Sequence, residues 1–451
     1  MVRDENGLLH EKRKSRIFQI VFGVITLVIL IATTSMKAHA QTGSQSDVPH
    51  RASANKVEKQ KSPNDSKLKA ETEEGSKPAV LENTEVEHQP SPDPAPQPSA
   101  DAKWHWGGFV DVGYLLDFNH PQNRVFRSRG TTWHVDRPQI NMAAFYVKKK
   151  ASPESRWGIE LTAQAGKDAQ VFGFSATAPN IDGYKFLRQL GSTNVSYLAP
   201  VGKGLLIQGG IFSSFIGYDS LYAEDNFNYT RPWGADFTPY FMLGVNASYP
   251  FTEKITGTFF VVNGYWHLAN ANSVPSFGGQ AAFAATPRLT IKQTVLAGPH
   301  QKDTAFNFWR FISDMIVEHK TEKRTFAFNT NWSTEQVDSP GAPRAWWFAA
   351  QGPMRFVLDP RWAVAFRPEV AHDSLGRWTL ARQTVFGFTS TLEYKLPYKS
   401  TDTIFRLEHR FDRSTGPEGG FFRGREVAPG VVPLTPNQHL LIFATIFTFD
   451  R

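Results

Sequence analysis

The sequence predicts an all-β fold: a transmembrane antiparallel β-barrel of about sixteen strands, preceded by a signal peptide and a disordered linker. Three observations carry this. From Trp104 onward the chain breaks into runs of roughly ten residues with period-two alternation, the length a tilted strand needs to cross a bilayer. Longer and shorter connections between these runs mostly take turns, and aromatic residues fall near the run ends.

The alternation is plain in "RWGIELTAQAG", where Trp157, Ile159, Leu161, Ala163 and Ala165 share one face and Arg156, Glu160, Thr162 and Gln164 the other. "GLLIQGGIF" sets Leu205, Ile207 and Ile211 opposite Gln208, and "RTFAFNTNWSTEQ" sets Phe326, Phe328 and Trp332 opposite Asn329, Asn331 and Glu335. "RWAVAFRPEVAHD" opposes Trp362, Val364, Phe366 and Val370 to Arg367 and Glu369. In "RLEHRFDR" every second residue is charged: Arg406, Glu408, Arg410 and Asp412. The opposite row there holds Leu407, His409 and Phe411, so His409 is expected at an interface, because a polar group at the bilayer centre is expensive. Trp104, Trp106, Tyr146, Trp157, Tyr197, Tyr249, Trp362 and Tyr394 lie near run ends, as the girdles at the two bilayer interfaces would.

Short links such as "ASPES", "PVGK", "PFTE", "TPR" and "DP" alternate with long ones such as "SSFIGYDSLYAEDNFNYTRPWGADFT" and "RSTGPEGGFFRGREVAPGVVPLTP". One end of the sheet therefore carries loops and the other tight turns, the build of outer-membrane barrels. A propeller, the soluble alternative, would show a fixed repeat of about 40 residues, and none is visible.

Ahead of the barrel, the basic run "EKRKSR" precedes the apolar stretch Ile17 to Thr33, and a small-x-small site ends at Ala40. This reads as a signal peptide over 1–40, cleaved after Ala40, with an uncleaved anchor as the alternative. Residues 41–103, as in "HQPSPDPAPQPSAD", hold too few large apolar side chains to offset ordering entropy and read as a disordered Pro/Ser/charged linker. The barrel then spans 104–451.

Composition narrows the chemistry. The 451 residues contain no Cys, which excludes disulfides, thiolate metal sites and cysteine nucleophiles. Against 42 Asp plus Glu stand 49 Lys plus Arg, an excess too small and too scattered for a nucleic-acid face. The thirteen His show no HExxH and no close pair at ligand spacing, so no metal or cofactor is expected. "HDS" at His372, Asp373 and Ser374 is adjacency without a triad, no GxSxG elbow is present, and the chain is not read as an enzyme.

"GGFVDVGYLLDFNHP", "GGIFSSFIGYDSLYAEDNFNYTRP", "VVNGYWHL" followed by "VPSFGGQ", and "RLEHRFDRS" occur in this order across most of Trp104 to Arg451. In these motifs the chain resembles the second β-barrel porin family, the OmpL-like porins. It departs in one detail: such barrels commonly end on Phe, whereas Phe449 is followed by Asp450 and Arg451. The resemblance implies a Gram-negative outer-membrane porin, a water-filled channel for passive diffusion of ions and small hydrophilic solutes.

A barrel of this size is too wide to fill with side chains, so inward charges stay hydrated. Candidates for the channel wall are Glu160, Gln208, Asn329, Asn331, Glu335, Arg367, Glu369, Arg406, Glu408, Arg410 and Asp412. Arg406 to Asp412 could equally pair internally and with neighbouring strands, stiffening the wall without choosing a solute. In sixteen-stranded porins the third outer loop commonly folds inward. By that analogy residues 213–238, with Asp219, Glu224, Asp225, Arg231 and Asp236, form an acidic constriction facing Arg410 and Arg367; a surface-exposed loop is the alternative. The expected partners are outer-membrane lipid and small solutes, with peptidoglycan as a candidate contact of the linker. A homotrimer and a monomer fit equally. An envelope tether or adhesin with a non-conducting barrel is the competing function.

Overall fold

A computed structural model describes residues 103–171, 187–264, 274–300, 308–337 and 341–450. The expected signal peptide, and the linker up to residue 102, lie outside the described residues.

The strands are rich in β-branched and aromatic residues, which fit a pleated, half-buried surface. In chain order they are β1 (Trp104–Asp117), β2 (Pro138–Lys149), β3 (Trp157–Ala165), β4 (Thr193–Ala199), β5 (Leu205–Ser213) and β6 (Phe241–Pro250). β7 (Ile255–Val262), β8 (Ser276–Thr286), β9 (Leu289–Pro299), β10 (Trp309–Lys320) and β11 (Arg324–Glu335) follow. The twelfth crossing, β12, is made of two pieces, Ala345–Gln351 and Met354–Val357. Both pieces pair with β11 on one side and with β13 (Trp362–Asp373) on the other. Gly352 and Pro353 separate them, as expected where proline cannot donate to a ladder. β14 (Gln383–Tyr398), β15 (Thr401–Ser414) and β16 (Asn437–Asp450) complete the sheet.

Each strand pairs antiparallel with its sequence neighbour, and β1 closes onto β16 from Gly107↔Asp450 to Asp117↔Leu440. The result is a closed sixteen-strand antiparallel barrel. Closure removes every unpaired sheet edge, the condition for a sheet to sit in hydrocarbon.

Alternation separates the faces as the sequence indicates. Phe405 and Leu407 are 42% and 43% exposed, while Arg406, Glu408, Arg410 and Asp412 are 3% exposed or less. Outward rows of Phe326, Phe328 and Trp332, or of Phe443 and Phe447, form an apolar belt. Ile211 departs from its row: it is buried in a cluster against which Leu190 packs, next to Gly210 at φ 124°.

The aromatic placement corrects the sequence reading. All eight of the rings singled out lie at the short-turn end, where Trp157 meets Tyr197 and Trp362 meets Tyr394, each at 4.7 Å between centroids. Tyr146 turns inward, its hydroxyl lying against Gly107. At the long-loop end the outward rings among the described residues include Trp309, Trp332, Trp346 and Phe386. Period two alone does not tell the two ends apart; the available signal was adjacency to the short links, since Trp157 follows "ASPES", Tyr197 and Tyr249 precede "PVGK" and "PFTE", and Trp362 follows "DP".

Barrel interior and candidate channel

The connection between β5 and β6, Ser214 to Tyr240, does not stay outside. Most of its residues are buried, and its backbone and side-chain groups bond to inner-row residues of strands on both sides of the barrel, from β1 and β3 to β10, β14 and β15. Apolar residues seat its first part. Phe215 and Ile216 pack in an inner cluster with Phe212, Met242, Phe260, Val262, Leu296 and Ile312. The Phe215 carbonyl accepts from Gln280 Nε2 (3.0 Å) and Thr294 Oγ1 (2.7 Å). Gly217 then turns at φ 87°, a conformation a residue with Cβ rarely takes, and its N–H donates to Asp314 Oδ1 (3.1 Å). Tyr218 donates to Glu318 Oε2 (2.6 Å).

Polar bonds hold the second part against the opposite wall. Tyr229 and Thr230 donate their N–H groups to the two oxygens of Glu408, at 2.6 and 2.9 Å, and the Thr230 hydroxyl bonds the same carboxylate. Thr391 Oγ1 donates to Glu408 as well (2.7 Å). Tyr229 Oη donates to Asp111 Oδ1 (2.8 Å) and accepts from Asn141 Nδ2 (2.7 Å). Gly113 makes this approach available: a Cβ there would fall 2.6 Å from that hydroxyl. Trp233 Nε1 donates to Asp412 Oδ1 (2.9 Å) and its backbone N–H to Glu369.

The arginines of the wall are committed to carboxylates and loop carbonyls. Arg410 bridges Asp412 (2.8 Å) and Glu369 (3.1 Å) and donates to the Arg231 carbonyl (2.7 Å). Arg367 donates to the Thr230 carbonyl (2.7 Å) and stands 4.0 Å from Asp219. Arg406 pairs with Glu393 (2.8 Å) and donates to the Ala223 carbonyl (2.7 Å). Such charge-assisted bonds offset the desolvation of ions that the loop shields from water.

The five loop residues singled out from the sequence divide between different surroundings. Asp219 faces Arg367, and Gln351 Nε2 donates to it. Asp236 faces Arg129 of the first long loop at 2.7 Å. Arg231 satisfies the loop itself, donating to the carbonyls of Leu221 and Tyr229. Glu224 and Asp225 turn to the other side. Together with Tyr222, Lys148, Glu160 and Asp219 they line a cavity of about 310 Å³ between the loop and the β2–β5 wall. Burial raises the Glu224 carboxyl well above its ordinary pKa, reinforced by the adjacent Asp225 charge and opposed by Lys148.

Among the wall residues, Gln208 sits in an amide ladder, donating to Asn194 (2.8 Å) and accepting from Asn246 (2.9 Å). Glu160 accepts from Asn194. Asn329 donates to Asp314 Oδ2 (2.9 Å), and Asn331 lies by Gly234 of the loop. Glu335 sits at the long-loop end, between Arg310 (2.8 Å) and Arg377 (3.0 Å). Sequence reasoning missed Asp111, Asn141, Lys148, Glu318, Thr391 and Glu393. All but Asn141 stand on the inner row of their strands, where row parity was the available signal; Asn141 is turned inward by the bulge in the β1–β2 pairing, which parity does not encode. His372, Asp373 and Ser374 do not converge. His372 stacks on Trp346, Asp373 caps the N–H groups of Trp378 and Thr379, and Ser374 Oγ accepts from Trp346 N.

A closed sixteen-strand barrel with an apolar belt outside, a charged interior and one long loop folded into it defines a porin-type outer-membrane barrel. The chain belongs to the family described as "Putative beta-barrel porin-2, OmpL-like", which matches residues 103–449. No curated protein sequence matches the chain. Among solved structures it is similar to the outer membrane channel DcaP of Acinetobacter baumannii, with 9% identity, 77% of this chain and 96% of that one covered, and a TM-score of 0.48. It is also similar to the outer membrane protein OmpT of Vibrio cholerae (8% identity, 78% and 99% covered, TM-score 0.47). The anion-selective porin from Comamonas acidovorans gives 8% identity, 77% and 99% covered, and a TM-score of 0.47.

Proposed function

We propose that this porin passes ions and small hydrophilic solutes by passive diffusion through the passage between the Ser214–Tyr240 loop and the β2–β5 wall, and that it favours cations. The lining of the 310 Å³ cavity supports this: the carboxylates Glu160, Glu224 and Asp225 share it with a single ammonium, Lys148, while Asp219 at its edge is matched by Arg367. Fixed charge along a pore biases which ions enter. The basic groups Arg367, Arg406 and Arg410 are 3% exposed or less and leave the acidic side to set the field.

Planar-bilayer recordings across a salt gradient test the reading. The wild-type protein should show discrete conductance steps and a reversal potential on the cation side. E224Q combined with D225N should move that potential toward zero while steps persist. An absence of steps would overturn the channel, and an unchanged reversal potential would overturn the selectivity.

A pH dependence follows from the raised pKa of Glu224. Its negative charge is present above that pKa and is lost as pH falls through it. The cation preference should therefore start to decline at a pH above the ordinary glutamate range, and E224Q should remove this part of the titration.

A second reading, an envelope tether with a non-conducting barrel, draws on the density of bonds between loop and wall. Deleting residues 41–103 discriminates. A channel keeps its conductance, and a tether that reaches peptidoglycan through this segment loses envelope attachment.

A further inference from the structure

We propose that a cleft on the outer wall of the barrel, at the long-loop end beside the β1–β16 seam, binds the phosphorylated head group of a membrane lipid. Its floor is lipid-facing: Tyr114 and Leu116 stand on the outward row of β1. Its upper rim carries Arg124 from the loop after β1 and Arg425 from the loop after β15, together with His120, around a volume of about 400 Å³. Phe118, 56% exposed, continues the apolar surface beside it.

The two loops are fastened together. Gln122 N–H donates to the Gly424 carbonyl (2.8 Å), Gly424 N–H to the Asn119 carbonyl (2.9 Å) and Glu426 N–H to Gln122 Oε1 (2.9 Å). Both arginines are thereby held over one cleft. Each is exposed, and neither guanidinium makes a hydrogen bond or ion pair among the described residues. The wall arginines of the interior, in contrast, are all paired. Asp136 is the one carboxylate of the cleft, and it is engaged by His120 Nδ1 at 3.3 Å.

The polar rim continues beside the cleft. On the outward rows of β16 and β15, His439 and His409 lie 3.3 Å apart, and Arg413 is exposed four residues beyond His409 on the same row. Phe118 N–H donates to the His439 carbonyl (3.1 Å), which joins this pair to the cleft. Guanidinium forks match phosphate oxygens bidentately, and directly beneath them the apolar row of β1 receives an acyl chain. Charge above and hydrocarbon below is the layout of a lipid at its own depth in the membrane. A free phosphate would use the arginines alone.

The test is native mass spectrometry of the full chain purified from outer membranes in detergent, exchanged against a phosphorylated glycolipid, its dephosphorylated form, or inorganic phosphate. The wild-type protein should retain the phosphorylated lipid, retain the dephosphorylated form roughly tenfold less or weaker, and release the former as ionic strength rises. R124Q combined with R425Q should lose most of the retention, again by roughly tenfold. Both side chains are exposed and unbonded, so the variant should fold, and heat-modifiable migration on a gel checks that it has. Equal retention of the two lipid forms, or of the lipid by wild type and variant, would overturn the proposal. So would displacement by inorganic phosphate at equal concentration, or a variant whose only change is its oligomeric mass.

Discussion

Replacing Glu408 by alanine should lower the apparent unfolding temperature and raise single-channel conductance several-fold. One carboxylate holds the N–H groups of Tyr229 and Thr230, the Thr230 hydroxyl and that of Thr391. Hydrogen bonds to a charged acceptor contribute about 1.5–3 kcal/mol each, and donors left unpaired add their own cost. The summed loss is not additive, and about 3–5 kcal/mol is the expected scale. The conductance effect has a separate cause. The second half of the inner loop would lose its central anchor while Phe215 and Ile216 stay seated in their apolar cluster. The loop would then swing from the wall with its first part fixed, and E408Q, which keeps one acceptor oxygen, should give an intermediate result. A channel that E408A destabilises without widening would show that the loop is held by its remaining contacts.

Replacing Arg410 by alanine should cost a similar amount, about 3–5 kcal/mol, through electrostatics rather than loop anchoring. The guanidinium lies between Asp412 and Glu369, all three fully or almost fully buried. Removing it leaves two carboxylates close together, with Trp233 as their shared neutral donor and Arg367, 3.5 Å from Glu369, as the remaining cation. R410K keeps the charge but loses the fork that spans two acids and the Arg231 carbonyl, and should recover only part of the loss. Denaturant-dependent loss of the heat-modifiable band distinguishes the three proteins. If R410A unfolds like wild type, the two acids share a proton and the pair is not a determinant of stability.

Much of the barrel was legible because its period is two and its inward charges are numerous. "RLEHRFDR" needed only the rule that successive side chains oppose each other for Arg406, Glu408, Arg410 and Asp412 to be put on one row. The long connection between β5 and β6 stood out by length and by its acids. Its internal division was not legible. Asp219 and Asp236 meet arginines from different parts of the chain, whereas Glu224 and Asp225 face the cavity, and that depends on two turns of 3₁₀-helix, Ala223–Asp225 and Gly234–Phe237. Those turns rotate neighbouring residues away from one another, and no periodicity encodes them. Asp412 and Glu369 lie two residues beyond Arg410 and Arg367 on the same rows and were legible as partners, but the cross-strand partner of Arg406 was not. Glu393 meets Arg406 from the adjacent strand, and only the register Glu393↔Arg406 makes them neighbours.

Tyr229 has a further consequence, in the closure of the barrel. Its hydroxyl bonds Asp111 on β1 and its N–H bonds Glu408 on β15, the two strands that flank β16. The inner row of β16 is apolar from Leu440 through Ile442 and Ala444 to Ile446, and its one buried amide there, Gln438, donates to Asp117 of β1 rather than to the loop. The first and last strands are the most distant in sequence, and such contacts form slowly because a long chain must close on itself. One residue of a mid-chain loop thus ties together the two strands between which the final strand lies, so the width of that gap is fixed from inside as well as by the β16 ladders.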